Sequence, residues 1–251
     1  MLEVQNLSMR FGGLLAVDQV SLDVQEREIV SIIGPNGAGK TTVFNCLSGF
    51  YKPTGGRILL DGREIQGKPD YKISRMGLVR TFQHVRLFGR MTVVENLLVA
   101  QHRHLNTNLL AGLVATPNYR ARERKAMDRA AYWLERVGLT DLANREAGNL
   151  AYGQQRRLEI ARCMVTEPRL LMLDEPAAGL NPAETRELDQ LIISLKEDYN
   201  VSVVLIEHDM SLVMGISDRI NVISQGRPLA SGTPEEIRSN EDVIKAYLGE
   251  A

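Results

Sequence analysis

The sequence predicts an α/β fold with a mainly parallel sheet, a small antiparallel β portion near the N-terminus and a helical subdomain inserted into the core. Three observations carry this: short apolar runs of strand length, helical stretches that alternate with them, and one long block where apolar residues recur at helical spacing. Ile29 to Ile33 is apolar apart from Ser31 and stops at Gly34, the pattern of a strand covered on both faces. Leu170 to Leu173 and Val201 to Ile206 repeat the pattern, each preceded by a helical stretch and each closed by acidic residues. Ahead of them, Val4 to Leu7, the pair Gly12-Gly13 and the alternating Val17 to Val24 read as short strands separated by turns. Arg57 to Leu60 reads as another, entered through Pro53-Thr54-Gly55-Gly56 and left through Asp61-Gly62. From Thr92 to Leu150 the pattern is helical, with Val93, Val94, Leu97 and Leu98, and later Ala130, Trp133, Leu134 and Val137, at three- and four-residue spacing. The expected organisation is one domain over residues 1–251, its core spanning about 1–88 and 156–251 and its helical subdomain about 89–155.

With 44% apolar and 24% charged residues, the chain can bury a sizeable core, so disorder is not the default. Thirty basic against thirty-one acidic residues leave a net charge of -1, so no overall field recruits nucleic acid or an anionic membrane surface. Cys46 and Cys163 belong to no CxxC or Cys/His cluster of metal-site spacing and read as free buried thiols of a reducing compartment. Met1 to Phe11 lacks the basic start and long apolar core of a secretory signal. No apolar run approaches the ~20 residues that span a bilayer. Work at a membrane would therefore need a partner to hold the chain there.

Gly34-Pro35-Asn36-Gly37-Ala38-Gly39-Lys40-Thr41 fits the pattern GxxxxGK[ST] and falls between a buried strand and a helical stretch, as a phosphate-binding loop requires. Glycines let backbone N–H groups turn inward around phosphates, and the following helix presents its positive end. Lys40 reaches the β- and γ-phosphates, Thr41 offers a hydroxyl to Mg²⁺, and Thr42 closes the expected ATP-binding run. The core is thus predicted to be that of a P-loop NTPase. The apolar run Leu170 to Leu173 then delivers Asp174 and Glu175, followed by Pro176. Asp174 would hold Mg²⁺ through water and Glu175 would act as general base on the attacking water. An acidic strand end is commonplace by itself and gains meaning beside the phosphate loop. His208 follows the strand that ends at Ile206, at the edge where an open parallel sheet binds its ligands, and is read as a γ-phosphate contact. A structural histidine is the plainer alternative, and Asp209 behind it could cap the next helix.

Leu150-Ala151-Tyr152-Gly153-Gln154, followed by a helix with Leu158, Ile160, Ala161, Met164 and Val165, resembles the LSGGQ signature of ABC ATPases. Gln83, between the phosphate loop and this segment, and Gly179-Leu180-Asn181-Pro182, just after Glu175, complete that family's ordered set. The resemblance covers essentially the whole chain. It is closer still to the ATP-binding subunits of high-affinity branched-chain amino acid uptake in Gram-negative bacteria. Arg10 to Val17, Thr81 to Phe88, Ala177 to Pro182 and Ala246 to Ala251 carry that similarity.

The resemblance implies an ATPase that energises an importer for leucine, isoleucine and valine. In it Phe11 would stack on adenine, Gln83 would sense Mg²⁺ and the attacking water, and Leu150 to Gln154 would close over ATP held by another subunit. The implied partners are a second homologous ATPase, two transmembrane permeases and, indirectly, a periplasmic substrate-binding protein, with no nucleic acid. The implied location is the cytoplasmic face of the inner membrane. Ala151 replaces the signature serine and Tyr152 its first glycine, so the usual serine hydroxyl contact cannot form. Gly153 keeps backbone donors at a helix start. Asn181 stands where many relatives carry aspartate. Alternatives are an importer for another amino acid or amide, an exporter, or a soluble ABC ATPase acting on ribosomes or DNA. Against the last stand a single phosphate loop, no long heptad pattern and no basic excess.

Weaker features have plain readings. Arg120, Arg122, Arg124, Lys125 and Arg129, with Glu123 and Asp128 among them, suit a solvated, ion-paired helix face. His102 and His104 have no carboxylate nearby in sequence, which argues against a metal site. Trp133 lies on the apolar stripe and is expected in the core. The segment from Gln101 to Asn118 lengthens the helical subdomain without a legible role.

Overall fold

The computed structural model describes residues 1–104 and 117–248. Most of the 101–118 segment, the His104 side chain and the last three residues of the C-terminal similarity lie outside them. Two compact units emerge, one of residues 1–83 and 168–251, the other of residues 84–167.

The first unit contains two sheets. β1 (Leu2–Phe11) and β2 (Leu14–Val24) form a hairpin around Gly12-Gly13, and β4 (Gly55–Leu60) and β5 (Arg63–Glu64) extend it in the order β2-β1-β4-β5. All the pairings in this sheet are antiparallel. The hairpin strands run longer than the short apolar stretches predict, because backbone pairing continues through polar residues that face solvent.

The second sheet has six strands in the order β10-β9-β3-β8-β7-β6. β3 (Ile29–Ile33), β7 (Leu170–Asp174) and β8 (Ser202–Ile206) are its buried centre. β6 (Leu78–Arg80) pairs with β7 and β9 (Arg219–Ser224) with β3, all parallel, and only β10 (Arg227–Gly232) runs antiparallel. A continuous core joins the faces of both sheets, with Phe44, Leu47, Ile58, Val204 and Ile206 among its fully buried members.

Helix α1 (Lys40–Leu47) leaves the β3 loop, and α2 (Asp70–Arg75) precedes β6. The second unit contains α3 (Val93–Ala100), α4 (Pro117–Arg136) and α5 (Tyr152–Met164), which contact one another. Thr92 and Glu95 form a reciprocal capping box at the start of α3. Trp133 is buried at 4% exposure, as the apolar stripe on α4 predicts. In the first unit α6 (Pro182–Glu197) starts at Asn181, whose side chain accepts from the Ala183 and Glu184 N–H groups. Helices α7 (Met210–Ile216), α8 (Pro234–Arg238) and α9 (Glu241–Leu248) complete the C-terminal part.

The compact units part after Gln83 and again before Pro168, not near 88/89 and 155/156. At the second boundary the physical reason is α5, one unbroken helix that begins within the signature at Tyr152 and keeps Leu158, Ile160, Ala161 and Met164 with its own unit. Among the described residues no helix is long and apolar enough to cross a membrane.

Candidate functional site

Register explains how separate segments meet. Asp174 on β7 pairs with Ile206 on β8, which pairs with Ile32 on β3. The next residues on each strand, Glu175, Glu207-His208 and Ile33-Gly34, therefore emerge together at the C-terminal edge of the sheet. That edge is where doubly wound sheets bind ligands.

The loop after β3 is tightly placed. A Cβ on Gly34, at φ +152°, would lie 1.9 Å from the Ile223 carbonyl oxygen, so no larger residue fits. Gly39 adopts a left-handed φ of 99° as the N-cap of α1. Lys40 is buried at 6% exposure, and its ammonium donates to the Gly34 oxygen at 2.7 Å and the Pro35 oxygen at 2.9 Å. Burial pulls its pKa below the ordinary lysine value, opposed by the charges of Glu175 and Asp174. The loop, Phe11, Glu175 and His208 line one cavity of about 580 Å³, together with Leu14 to Ala16, Gln225 and Gly226. Within it lie Asn36, Gly37, Ala38, Gly39, Lys40, Thr41 and Thr42, whereas Pro35 borders a neighbouring cavity with Asn36 to Ala38. Phe11 is 41% exposed and meets Tyr51 edge-on with centroids 5.2 Å apart.

Glu175 occupies a left-handed conformation, φ 47°, uncommon for a residue with a side chain and a mark of strain held by its surroundings. Its backbone N–H donates to the Ile206 oxygen at 2.9 Å. The Gln83 Nε2 donates to its Oε2 at 2.9 Å, and the His208 Nε2 lies 2.9 Å from its Oε1. Two sequence-predicted residues, Gln83 and His208, thus meet on the carboxylate of a third, Glu175. Asp209 caps α7 through the Ser211 and Leu212 N–H groups, as the capping alternative for that residue expects.

Asp174 is 2% exposed. Its Oδ2 accepts from the Arg80 guanidinium at 2.6 Å, and its backbone N–H donates to the Thr81 hydroxyl at 3.3 Å. Among the described residues no group of three or more His, Cys, Asp or Glu could hold a metal by itself. A lone buried carboxylate such as Asp174 suits Mg²⁺, which usually takes one or two carboxylates and completes its shell with water and substrate phosphates. Thr41, Gln83 and Asp174, the residues the sequence offers for it, carry hard oxygen atoms of the kind such a site would use.

The signature residues belong to the second unit. Ala151 is the N-cap of α5, with the Gln154 Oε1 accepting its backbone N–H at 3.1 Å. Tyr152 is 42% exposed, and the Arg156 guanidinium lies 5.4 Å from its ring centroid. Gly153 is buried and Leu150 is 6% exposed. Behind them Arg156 pairs with Glu159 at 3.2 Å, both nearly inaccessible, and burial raises the Glu159 pKa against the pull of Arg156.

Two residues escaped the sequence reading. Glu207, 3% exposed, accepts from the Ala177 N–H at 2.7 Å and the His208 N–H at 2.9 Å, tying the loop after Glu175 to the loop carrying His208. Arg80 is the other. For Glu207 the available signal was an acidic residue closing an apolar strand, and for Arg80 a charged residue among apolar neighbours.

A phosphate loop at the edge of a parallel sheet, with a buried carboxylate and a strained, hydrogen-bonded one beside it, defines a nucleotide-binding ATPase of the P-loop class. The family described as ABC transporter matches residues 17–178, and that described as branched-chain amino acid ATP-binding cassette transporter matches residues 227–251. The chain is 72% identical over 250 residues to the high-affinity branched-chain amino acid transport ATP-binding protein BraF of Pseudomonas aeruginosa, covering 100% of this chain and 98% of that protein. It is 68% identical over 251 residues to the corresponding LivG of Escherichia coli, with the same coverage. Among solved structures, the ADP conformation of MJ1267, an ATP-binding cassette of an ABC transporter, superposes with a TM-score of 0.86 at 31% identity, covering 100% of this chain and 99% of that one. The chain belongs to the ATP-binding cassette family of ABC transporters, and ATP is the nucleotide it binds.

Proposed function

We propose that this chain is the ATP-hydrolysing subunit of an importer for leucine, isoleucine and valine. The observation that carries the chemistry is Glu175, held between Gln83 and His208 and lining the phosphate-loop cavity. Identities of 68% and 72% over the full chain to proteins named for branched-chain amino acid transport support the substrate.

In this reading Phe11 stacks on adenine and Gly34 to Thr42 wrap the phosphates. Lys40 has three donors, two of them on loop carbonyls, which leaves one for a phosphate oxygen. Thr41, Gln83 and Asp174 would hold Mg²⁺, which when bound would supply charge neutralisation at the phosphates. Glu175 accepts the proton of the attacking water, with Gln83 and His208 fixing the orientation of its carboxylate and His208 also within reach of the γ-phosphate. Leu150 to Gln154 close over ATP bound by a second, homologous ATPase. A related cassette, MJ0796, has been described as a dimer bound to ADP and Pi, at 25% identity and a TM-score of 0.76. With Ala151 in place of serine, the backbone donors of Gly153 and its neighbours at the start of α5 make the phosphate contact. Two permeases hold the pair at the cytoplasmic face of the membrane, and a periplasmic binding protein delivers substrate to them.

The test is reconstitution with the permeases of a branched-chain amino acid importer. ATP-driven uptake of labelled leucine is expected, and Lys40→Ala should abolish it by removing the main side-chain partner of the phosphates. An assembly that hydrolyses ATP but accumulates none of the three amino acids would refute the substrate.

A further inference from the structure

Arg80 is a buried cation that the reaction outlined above does not use. Its side chain is 7% exposed and that of Asp174 is 4% exposed, with Nη2 and Oδ2 2.6 Å apart. Nη1 donates to the Asn45 Oδ1 at 2.7 Å and to the Ser48 Oγ at 3.0 Å, both in the helix that begins at the phosphate loop. Three aromatic rings surround the guanidinium, with Phe44, Phe50 and Phe82 centroids 5.4, 5.9 and 5.6 Å away. Such contacts hold a cation by the negative face of the ring.

The placement follows from register. Arg80 pairs with Met172 across the β6–β7 ladder, two residues before Asp174. Thr81 accepts the Asp174 backbone N–H, and Gln83 binds the next carboxylate, that of Glu175. Residues 80, 81 and 83 thus hold the 174–175 pair at three points.

We infer that Arg80 is the positioning residue for the Mg²⁺ site: it takes one oxygen of Asp174, fixes the carboxylate plane and leaves the other oxygen to face the metal. The inference rests on the reading of Asp174 as a metal-holding carboxylate. A carboxylate engaged this way offers a single oxygen in a single orientation, which suits the strict geometry of Mg²⁺. Lysine would not substitute, because an ammonium has no planar fork to reach Asp174, Asn45 and Ser48 together. Phe82, against the face of the guanidinium and one residue before Gln83, links the metal-side carboxylate to the loop that holds Glu175.

The experiment compares wild type, Arg80→Lys, Arg80→Gln and Asp174→Asn. ATP affinity is titrated in EDTA, and Mn²⁺ affinity in the presence of ATP is read by electron paramagnetic resonance, with circular dichroism and melting curves as controls. Both Arg80 variants should keep metal-free ATP affinity and lose about 10- to 100-fold in Mn²⁺ affinity, as outer-shell changes at metal sites do. Should Arg80→Gln not fold, Arg80→Lys and the pair Asn45→Ala and Ser48→Ala carry the test, the latter two with a smaller loss. A folded Arg80→Lys with wild-type Mn²⁺ affinity overturns the inference. If Asp174→Asn loses metal affinity while that variant does not, the inference alone fails. If Asp174→Asn also keeps it, the reading of Asp174 fails as well.

Discussion

Replacing Glu175 by Gln isolates the base from the shape of the site. The side chain is nearly isosteric, and Gln tolerates the left-handed φ of 47° no worse than Glu does. The carboxylate accepts one hydrogen bond from Gln83 and shares another with His208, both at 2.9 Å. An amide keeps one acceptor oxygen for Gln83 and turns the other position into a donor, so the His208 contact survives only with Nε2 as the acceptor. The expected loss of stability is about 1 kcal/mol, the scale of one net hydrogen bond. The loss in hydrolysis is much larger. A positioned general base contributes about 10²- to 10⁴-fold, or ~3 to 5 kcal/mol of barrier at ~1.4 kcal/mol per tenfold. Phosphate release by the purified assembly should therefore fall at least about a hundredfold, while ATP affinity measured by titration stays at wild type. Wild-type turnover would remove Glu175 from water activation. Loss of ATP binding would make it a nucleotide ligand instead of a base.

Two further outcomes test the frame around the site. Gly34→Ala should abolish nucleotide binding and cost at least about 1–3 kcal/mol of stability, because its Cβ would lie 1.9 Å from the Ile223 oxygen; normal ATP titration and melting would show that the loop does not sit against β9. Asp23 receives two hydrogen bonds from Arg219, at 2.8 and 3.0 Å, and they hold its pKa below the usual carboxylate range. A depressed carboxylate stabilises the fold above its unfolded pKa, and that contribution is lost as pH falls through the folded value. Wild type should therefore melt above Asp23→Asn at pH 7, with the gap closing below the ordinary carboxylate value of about 4. With the Asp23 side chain 41% exposed, the gap should correspond to less than ~1 kcal/mol. A gap that persists unchanged into acid would assign the difference to packing.

The phosphate loop was legible because its chemistry is local: eight consecutive residues carry both the spacing and the strand–helix context. Asp174, Glu175 and His208 were legible because each closes an apolar strand, and parallel register then brings strand ends to one edge. What the sequence concealed depends on contacts between distant positions. β6 is only three residues long, too short to show a period, and Arg80 meets Asp174 across 94 residues of chain. β9 and β10 went unread, since β9 mixes Arg219 and Asn221 into its apolar run and β10 is largely exposed. The same limit applies to Asn181. Read against related loops it was a departure from aspartate, yet its side-chain Oδ1 accepts two N–H groups at the start of α6, a capping role that aspartate would fill equally well. The local hydrogen-bonding demand is met by either residue, so a choice between them at this position acts through something other than the cap, and the charge aspartate would add is the remaining physical difference.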